Sequence, residues 1–300
     1  MAEGTSGTTP KWTWGIIGLA AILLTSNAWS YEIIEQSIRV PINDLSGQQR
    51  LMAGRVCRPS DVKRPKLVVI NHGSSTIAAD RPGLPLASCN NEAVRWFLDR
   101  HYAVVQVWRL GYGATGGPWT EGFAHCTAAD YYKAGIETAR QISAIVDYSV
   151  LLPGVDPNGV IVVGHSGGGW GSMAYDGLPH AHVSALINMA GGRGGHYRGR
   201  DNSNCGGDQL VGAAHLFGKT ASTPMLWIYA DNDSYFGPRL AKQMAAAYAG
   251  AGGKLRFVEA PGVGGDGHGL FFDDDGSRIW GPLVQSYLSD DIGSATAPAK

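Results

Sequence analysis

Gly164-His165-Ser166-Gly167-Gly168 sets a hydroxyl among small neighbours, in the G-x-S-x-G spacing that lets a serine turn sharply from a strand into a helix. The preceding Val-Ile-Val-Val run reads as that strand and residues 167–175 as that helix. A serine at such a bend projects Oγ outward while the Gly167 amide faces the same space, so nucleophile and one oxyanion donor come from one turn. The plain alternative, a Gly-rich turn with an incidental serine, is weakened by the strand and helix on either side. The hydroxyl needs a base, and of nine histidines His268 stands in Gly264-Gly265-Asp266-Gly267-His268-Gly269, between the last strand and the last helix. His72 and His165 sit inside motifs whose loops they shape, and the remaining histidines read as surface or lid residues. Two carboxylates, Asp231 and Asp233, follow the apolar run at 225–230. Asp233 is expected to be the third member, fixing the imidazole tautomer and stabilising the imidazolium, with Asp231 bracing the turn. After the run at 66–71 comes His72-Gly73-Ser74-Ser75, and the Ser74 N–H is expected to be the second oxyanion donor.

These residues are far apart in the chain, so a regular scaffold must gather them. Short apolar, β-branched runs at 66–71, 102–108, 160–164, 183–189, 225–230 and 255–259 are what a parallel sheet covered on both faces requires. Helical patterns lie between them at 90–100, 128–148, 167–175, 238–249 and 277–288. In the second, Tyr132, Ile136, Ala139, Ile142 and Ile145 or Val146 recur at three- and four-residue spacing, one apolar face laid on a sheet. Two alternating segments, 31–40 and 50–57, precede them as an antiparallel pair. The expected fold is a three-layer α/β/α sandwich on a mostly parallel central sheet, with the chemistry collected where the strands end.

The chain has 300 residues, 44% apolar and 16% charged, with a formal net charge of −1. That balance suits one globular domain and gives no bulk attraction for nucleic acid. Residues 1–30 read as a signal peptide: an apolar stretch at 12–24 follows Lys11, and Ala28-Trp29-Ser30 offers a cleavage site. The stretch falls short of a bilayer span, which implies a secreted or periplasmic protein with no stable membrane span after cleavage, an uncleaved anchor being the alternative. The catalytic domain is then 31–290 and 291–300 a polar tail. Four cysteines, Cys57, Cys89, Cys126 and Cys205, allow two disulfides in three pairings. Cys89 and Cys126 both rim the expected site, so a bridge between them is the leading expectation.

The pieces NHGSS, YAVVQVWRLGYGATGG, GHSGGG, YADNDSYF and GDGHGLF, in order across about residues 66 to 272, resemble the α/β-hydrolase superfamily, within it the dienelactone-hydrolase-like and prolyl-oligopeptidase-like serine hydrolases. The resemblance implies an acyl hydrolase with no metal or organic cofactor. True dienelactone hydrolases look like cysteine-nucleophile enzymes, whereas this chain has Ser166, so their particular substrate does not carry over. The reading is hydrolysis of a small-molecule carboxylic ester through an acyl-enzyme, with peptidase or amidase action on the same triad and a non-catalytic binding protein as alternatives. Tyr112, Trp119, Trp170, Tyr235, Phe236 and Phe271 lie in or beside the site loops and are expected to line an aromatic substrate pocket, with core packing an equal explanation for half of them. The Gly-rich segment 193–208, with Arg193, Arg198 and Arg200, reads as a solvated loop or a lid that recognises a carboxylate.

Overall fold

Strands open the chain as a long hairpin. In the computed structural model, which describes Met1, Ala2, Gly4 and residues 31–290, β1 (Ile33–Asn43) pairs antiparallel with β2 (Gln49–Pro59). The hairpin turn is built on Asp44, whose carboxylate accepts from the Ser46 and Gln48 amides at 2.9 and 3.0 Å. Both strands run longer than the alternating pattern suggests. The expected signal peptide (1–30) and polar tail (291–300) lie outside the described residues, apart from Met1, Ala2 and Gly4.

From there strands and helices alternate: β3 (Lys66–Asn71), α1 (Glu92–Leu98), β4 (Tyr102–Val107), α2 (Tyr131–Ser149), β5 (Asp156–His165), α3 (Gly167–Tyr175) and β6 (Val183–Met189). They continue through α4 (Gly207–Thr220), β7 (Met225–Ala230), α5 (Pro238–Gly250), β8 (Leu255–Ala260) and α6 (Ser277–Asp290). The sheet order is β1-β2-β4-β3-β5-β6-β7-β8, parallel from β4 through β8. This is the expected three-layer α/β/α sandwich. Helix α4 has no counterpart in the sequence reading, because Gly207, Gly212 and Gly218 interrupt its pattern and its apolar side shows only once it packs on α2 and α5.

Strand alternation divides the core in two. Val69, Val162, Leu186 and Trp227 face the layer of α2, α3, α4 and α5, while Val68, Val163, Ile187 and Ile228 face α1 and α6. The register Asn71↔Gly164 between β3 and β5, and His165↔Met189 between β5 and β6, brings the ends of the central strands to one rim. From Tyr31 onward the described residues form one compact unit. Among them no helix is long and apolar enough to cross a membrane.

The disulfides correct the expected pairing. Cys57 is bonded to Cys89 and Cys126 to Cys205. Cys57 sits inward on β2, level with Val104 of β4, where the segment leading into α1 brings Cys89 across it. Cys126 instead meets the segment before α4, where its carbonyl lies beside Gly206. Two bridges therefore staple separate loops to the body, and none joins the two loops to each other.

Candidate active site

Ser166 closes β5 and opens α3 with φ 53° and ψ −119°, a left-handed conformation that a non-glycine residue holds only when its surroundings impose it. Its amide donates to Met189 O at 3.0 Å, and its carbonyl accepts from the Trp170 and Gly192 amides at 2.9 and 3.2 Å. The glycines of the motif answer a second demand, close approach of backbone. A Cβ on Gly168 would stand 2.3 Å from Asn71 O, and one on Gly167 2.3 Å from Ser74 Oγ. The turn that carries Ser166 is thus wedged against the loop after β3, and the Ser74 amide lies 3.2 Å from where the Gly167 Cβ would be.

His268 stands in a short 3-10 turn, Gly267–Gly269, beyond β8. Its Nδ1 donates to Asp233 Oδ2 at 3.1 Å, which leaves Nε2 as the free acceptor. Asp233 is buried after β7, and its other oxygen accepts from the Tyr235 and Phe236 amides at 2.8 and 2.9 Å. Asp231 is exposed, and its backbone amide pairs with Ala260 O. Asp266 fastens the His268 turn, accepting from the His268 amide at 3.0 Å and the Ser234 hydroxyl at 2.6 Å. Tyr235 stacks on the His268 ring at 4.2 Å between centroids. His165, in the motif itself, donates from Nε2 to the His268 carbonyl at 2.8 Å. Burial and the facing His268 imidazole push the His165 pKa down to about 4, so this ring works as a neutral strut.

The loop after β3 is held from beneath. His72 donates from Nδ1 to Gly73 O at 2.6 Å and accepts the Arg109 amide at Nε2 at 3.1 Å, which fixes its tautomer. Burial, reinforced by the Arg109 charge, holds His72 well below the usual histidine range. Arg109 also donates to His72 O at 2.8 Å and pairs through Nε with the Glu121 carboxylate. Arg193 reaches the same carboxylate at 2.8 Å and Ser74 Oγ at 3.1 Å. Burial works against the Glu121 charge, yet the two guanidinium groups outweigh it and hold its carboxyl down at about 2. Arg193 is therefore neither a solvated loop residue nor a free lid cation: it is 2% exposed and committed to Glu121, while Arg198 and Arg200 are exposed. Nothing in the residue pattern marks Glu121 as its partner.

Ser166, His268, Ser74 and His72 line one cavity of about 410 Å³. Its remaining wall is largely apolar: Ile70, Leu84, Pro85, Leu86, Ala87 and Phe272. Of the aromatic residues expected there, only Tyr235 lines it. Tyr112, Trp170, Phe236 and Phe271 are buried among other side chains, and Trp119 lies at a separate hollow, where it donates to Tyr112 OH at 2.9 Å. Large aromatic rings beside a motif complete the core as readily as they line a pocket. The run 84–87, Leu-Pro-Leu-Ala, is an apolar stretch in the connection between β3 and α1, the one sequence signal that points to this wall.

By sequence, no protein family and no curated protein matches the chain. Solved structures match it by shape. Acylaminoacyl peptidase from Pyrococcus horikoshii superposes with a TM-score of 0.59 at 13% identity, over 87% of this chain and 42% of that one. A protein assigned as a dienelactone hydrolase from Klebsiella pneumoniae subsp. pneumoniae superposes with a TM-score of 0.57 at 14% identity, over 86% and 98%. Est1E from Butyrivibrio proteoclasticus, bound to ferulic acid, gives 0.52 at 17%, over 84% and 97%. The chain thus spans well under half of the peptidase and nearly all of the other two. Strand order, the parallel run of β3 to β8 and these neighbours agree: the chain has the α/β-hydrolase fold.

Proposed function

We propose that the protein is an exported serine hydrolase that cleaves carboxylic esters, with Ser166 as nucleophile, His268 as general base and Asp233 as its orienting carboxylate. The observation that carries the reading is the His268 Nδ1–Asp233 Oδ2 bond at 3.1 Å, whose free Nε2 belongs to a ring lining the same cavity as Ser166. In this reading Nε2 takes the Ser166 proton as Oγ attacks the ester carbonyl, and the imidazolium then gives that proton to the departing alcohol. The Gly167 and Ser74 amides hold the oxyanion, and water, activated by the same imidazole, clears the acyl-enzyme. Two disulfides suit the oxidising compartment that export reaches. Ester chemistry is also what the names of the dienelactone hydrolase and of Est1E with its bound ferulic acid suggest. A fluorophosphonate probe together with a panel of p-nitrophenyl esters and aminoacyl amides tests it. Labelling and ester turnover that vanish in Ser166→Ala support the reading; a wild type that neither labels nor turns over ester removes it.

A further inference from the structure

A second cavity, of about 550 Å³, also borders Tyr235 and lies between residues 202–209 and the segment 237–243. Its lining differs in kind from the first. Asn202, Asp208, Gln209, Arg239 and Gln243 present amides and both signs of charge, while Asn204 Nδ2 is spent on Arg193 O at 2.7 Å. Among the described residues no hydrogen bond or ion pair takes up the side chains of Gln209, Arg239 or Gln243. In the first cavity the two amide side chains are already spent: Gln106 donates to Ala87 O at 2.9 Å and Asn91 to Phe272 O at 3.1 Å. One cavity therefore offers apolar contact, and the other offers unclaimed donors and acceptors.

The chemistry of the triad orients an ester between them. The leaving oxygen must lie against His268 Nε2, because that nitrogen returns the proton to it. Tyr235 is stacked on this imidazole at 4.2 Å and is the residue that both cavities share. A substrate whose acyl carbon faces Ser166 with its acid part against Leu84, Leu86 and Phe272 sends its alcohol part past Tyr235 into the amide-lined cleft. An anionic alcohol part would meet Asp208 and a cationic one Arg239, whereas hydroxyl groups, each donor and acceptor, match a mixed set of amides and opposite charges. We propose, building on the hydrolase reading, that the physiological substrate is an ester of an apolar acid with a polyhydroxylated alcohol such as a sugar, and that the 202–209/237–243 cleft is its alcohol subsite.

The test compares two butanoate esters on the full exported chain: ethyl butanoate, and methyl glucoside butanoylated at its primary hydroxyl. Two or three added hydrogen bonds are worth about tenfold to a hundredfold in kcat/KM, so the sugar ester should exceed the ethyl ester by at least about tenfold. Gln243→Leu combined with Arg239→Met, both at exposed positions, should bring that ratio back close to unity. Because both esters are measured on one preparation, the ratio cancels any loss of folded enzyme. A wild-type ratio near unity, or a preference that the double variant retains, overturns the subsite while leaving the hydrolase reading in place. A wild type that cleaves neither ester, and behaves as Ser166→Ala does, overturns both.

Discussion

Arg193 and Ser74 meet at 3.1 Å, guanidinium Nη1 to hydroxyl Oγ, although 119 residues separate them in the chain. The same guanidinium reaches the buried Glu121 carboxylate, which is paired on its other side with Arg109, and Arg109 holds the His72 and Gly73 carbonyls at 2.8 and 3.2 Å. The loop that carries the Ser74 amide is thus clamped by two cations sharing one anion. Any oxyanion held at that amide inherits its position from the clamp.

Removing one member of the clamp leaves a buried charge short of its partner. Arg193→Met should cost about 3–5 kcal/mol of stability, far more than an exposed arginine would. Urea denaturation measures it, with the exposed Arg198→Met as the control. A loss below about 1 kcal/mol would show that the Arg109–Glu121 pair stands alone.

Asp233→Asn keeps the shape of the side chain while removing the charge that selects the His268 tautomer. With the triad as proposed, kcat should fall by about 10⁴ with little change in KM. Asp231→Asn, at an exposed neighbour, should leave kcat within a factor of about two. Steady-state kinetics on a p-nitrophenyl ester separates them, and equal losses would contradict the assignment.

Gly167→Ala pushes a methyl group to 2.3 Å from Ser74 Oγ and 2.7 Å from its Cβ. The variant should lose about 1–3 kcal/mol of stability and, if the Ser74 amide holds the oxyanion as proposed, much of its activity, since either the turn or the loop after β3 must yield. Ser74→Gly removes both clashing atoms, so the double variant should recover part of the stability. Additive losses in a double-mutant cycle would place the strain elsewhere.

His165 is held down at about 4, whereas in an unfolded chain its ring titrates near about 6.5. Between those values the unfolded state binds the proton and the folded state does not. The contribution of His165 to stability is therefore complete above about 6.5 and is lost as the pH falls toward about 4. His72 contributes in the same direction. Glu121, lowered from 4.5 to about 2, loses its contribution only in the window below. His165→Gln keeps an N–H for the His268 carbonyl but cannot titrate, so its urea midpoint should decline less steeply than that of the wild type between about pH 6.5 and 4.5. Parallel declines would refute the strut.

Peptide mapping without reductant should recover Cys57 with Cys89 and Cys126 with Cys205. The bridges span 32 and 79 residues of chain, so breaking either should cost about 2–4 kcal/mol, the longer loop the more. Recovery of Cys89 with Cys126 would restore the pairing expected from the loops.

Local physics made much of this legible in one dimension. The β-branched runs declare a two-faced sheet because each must be apolar on both sides, and Gly164-x-Ser166-x-Gly168 after such a run declares a sharp strand-to-helix turn because a serine at that bend tolerates only small neighbours. The order Ser166, Asp233, His268 follows from where those residues stand relative to the strands. Other features depend on partners distant in sequence, which no spacing encodes. Arg193 has the sequence surroundings of a loop cation but is buried against Glu121, Cys89 pairs with a strand laid down earlier, and Trp170 and Tyr112 fill the core while Leu84 to Ala87 line the cavity. Periodicity reports which face of an element is buried. Only the assembled layers decide what each buried side chain touches, because packing and charge pairing are settled across the sheet and not along the chain.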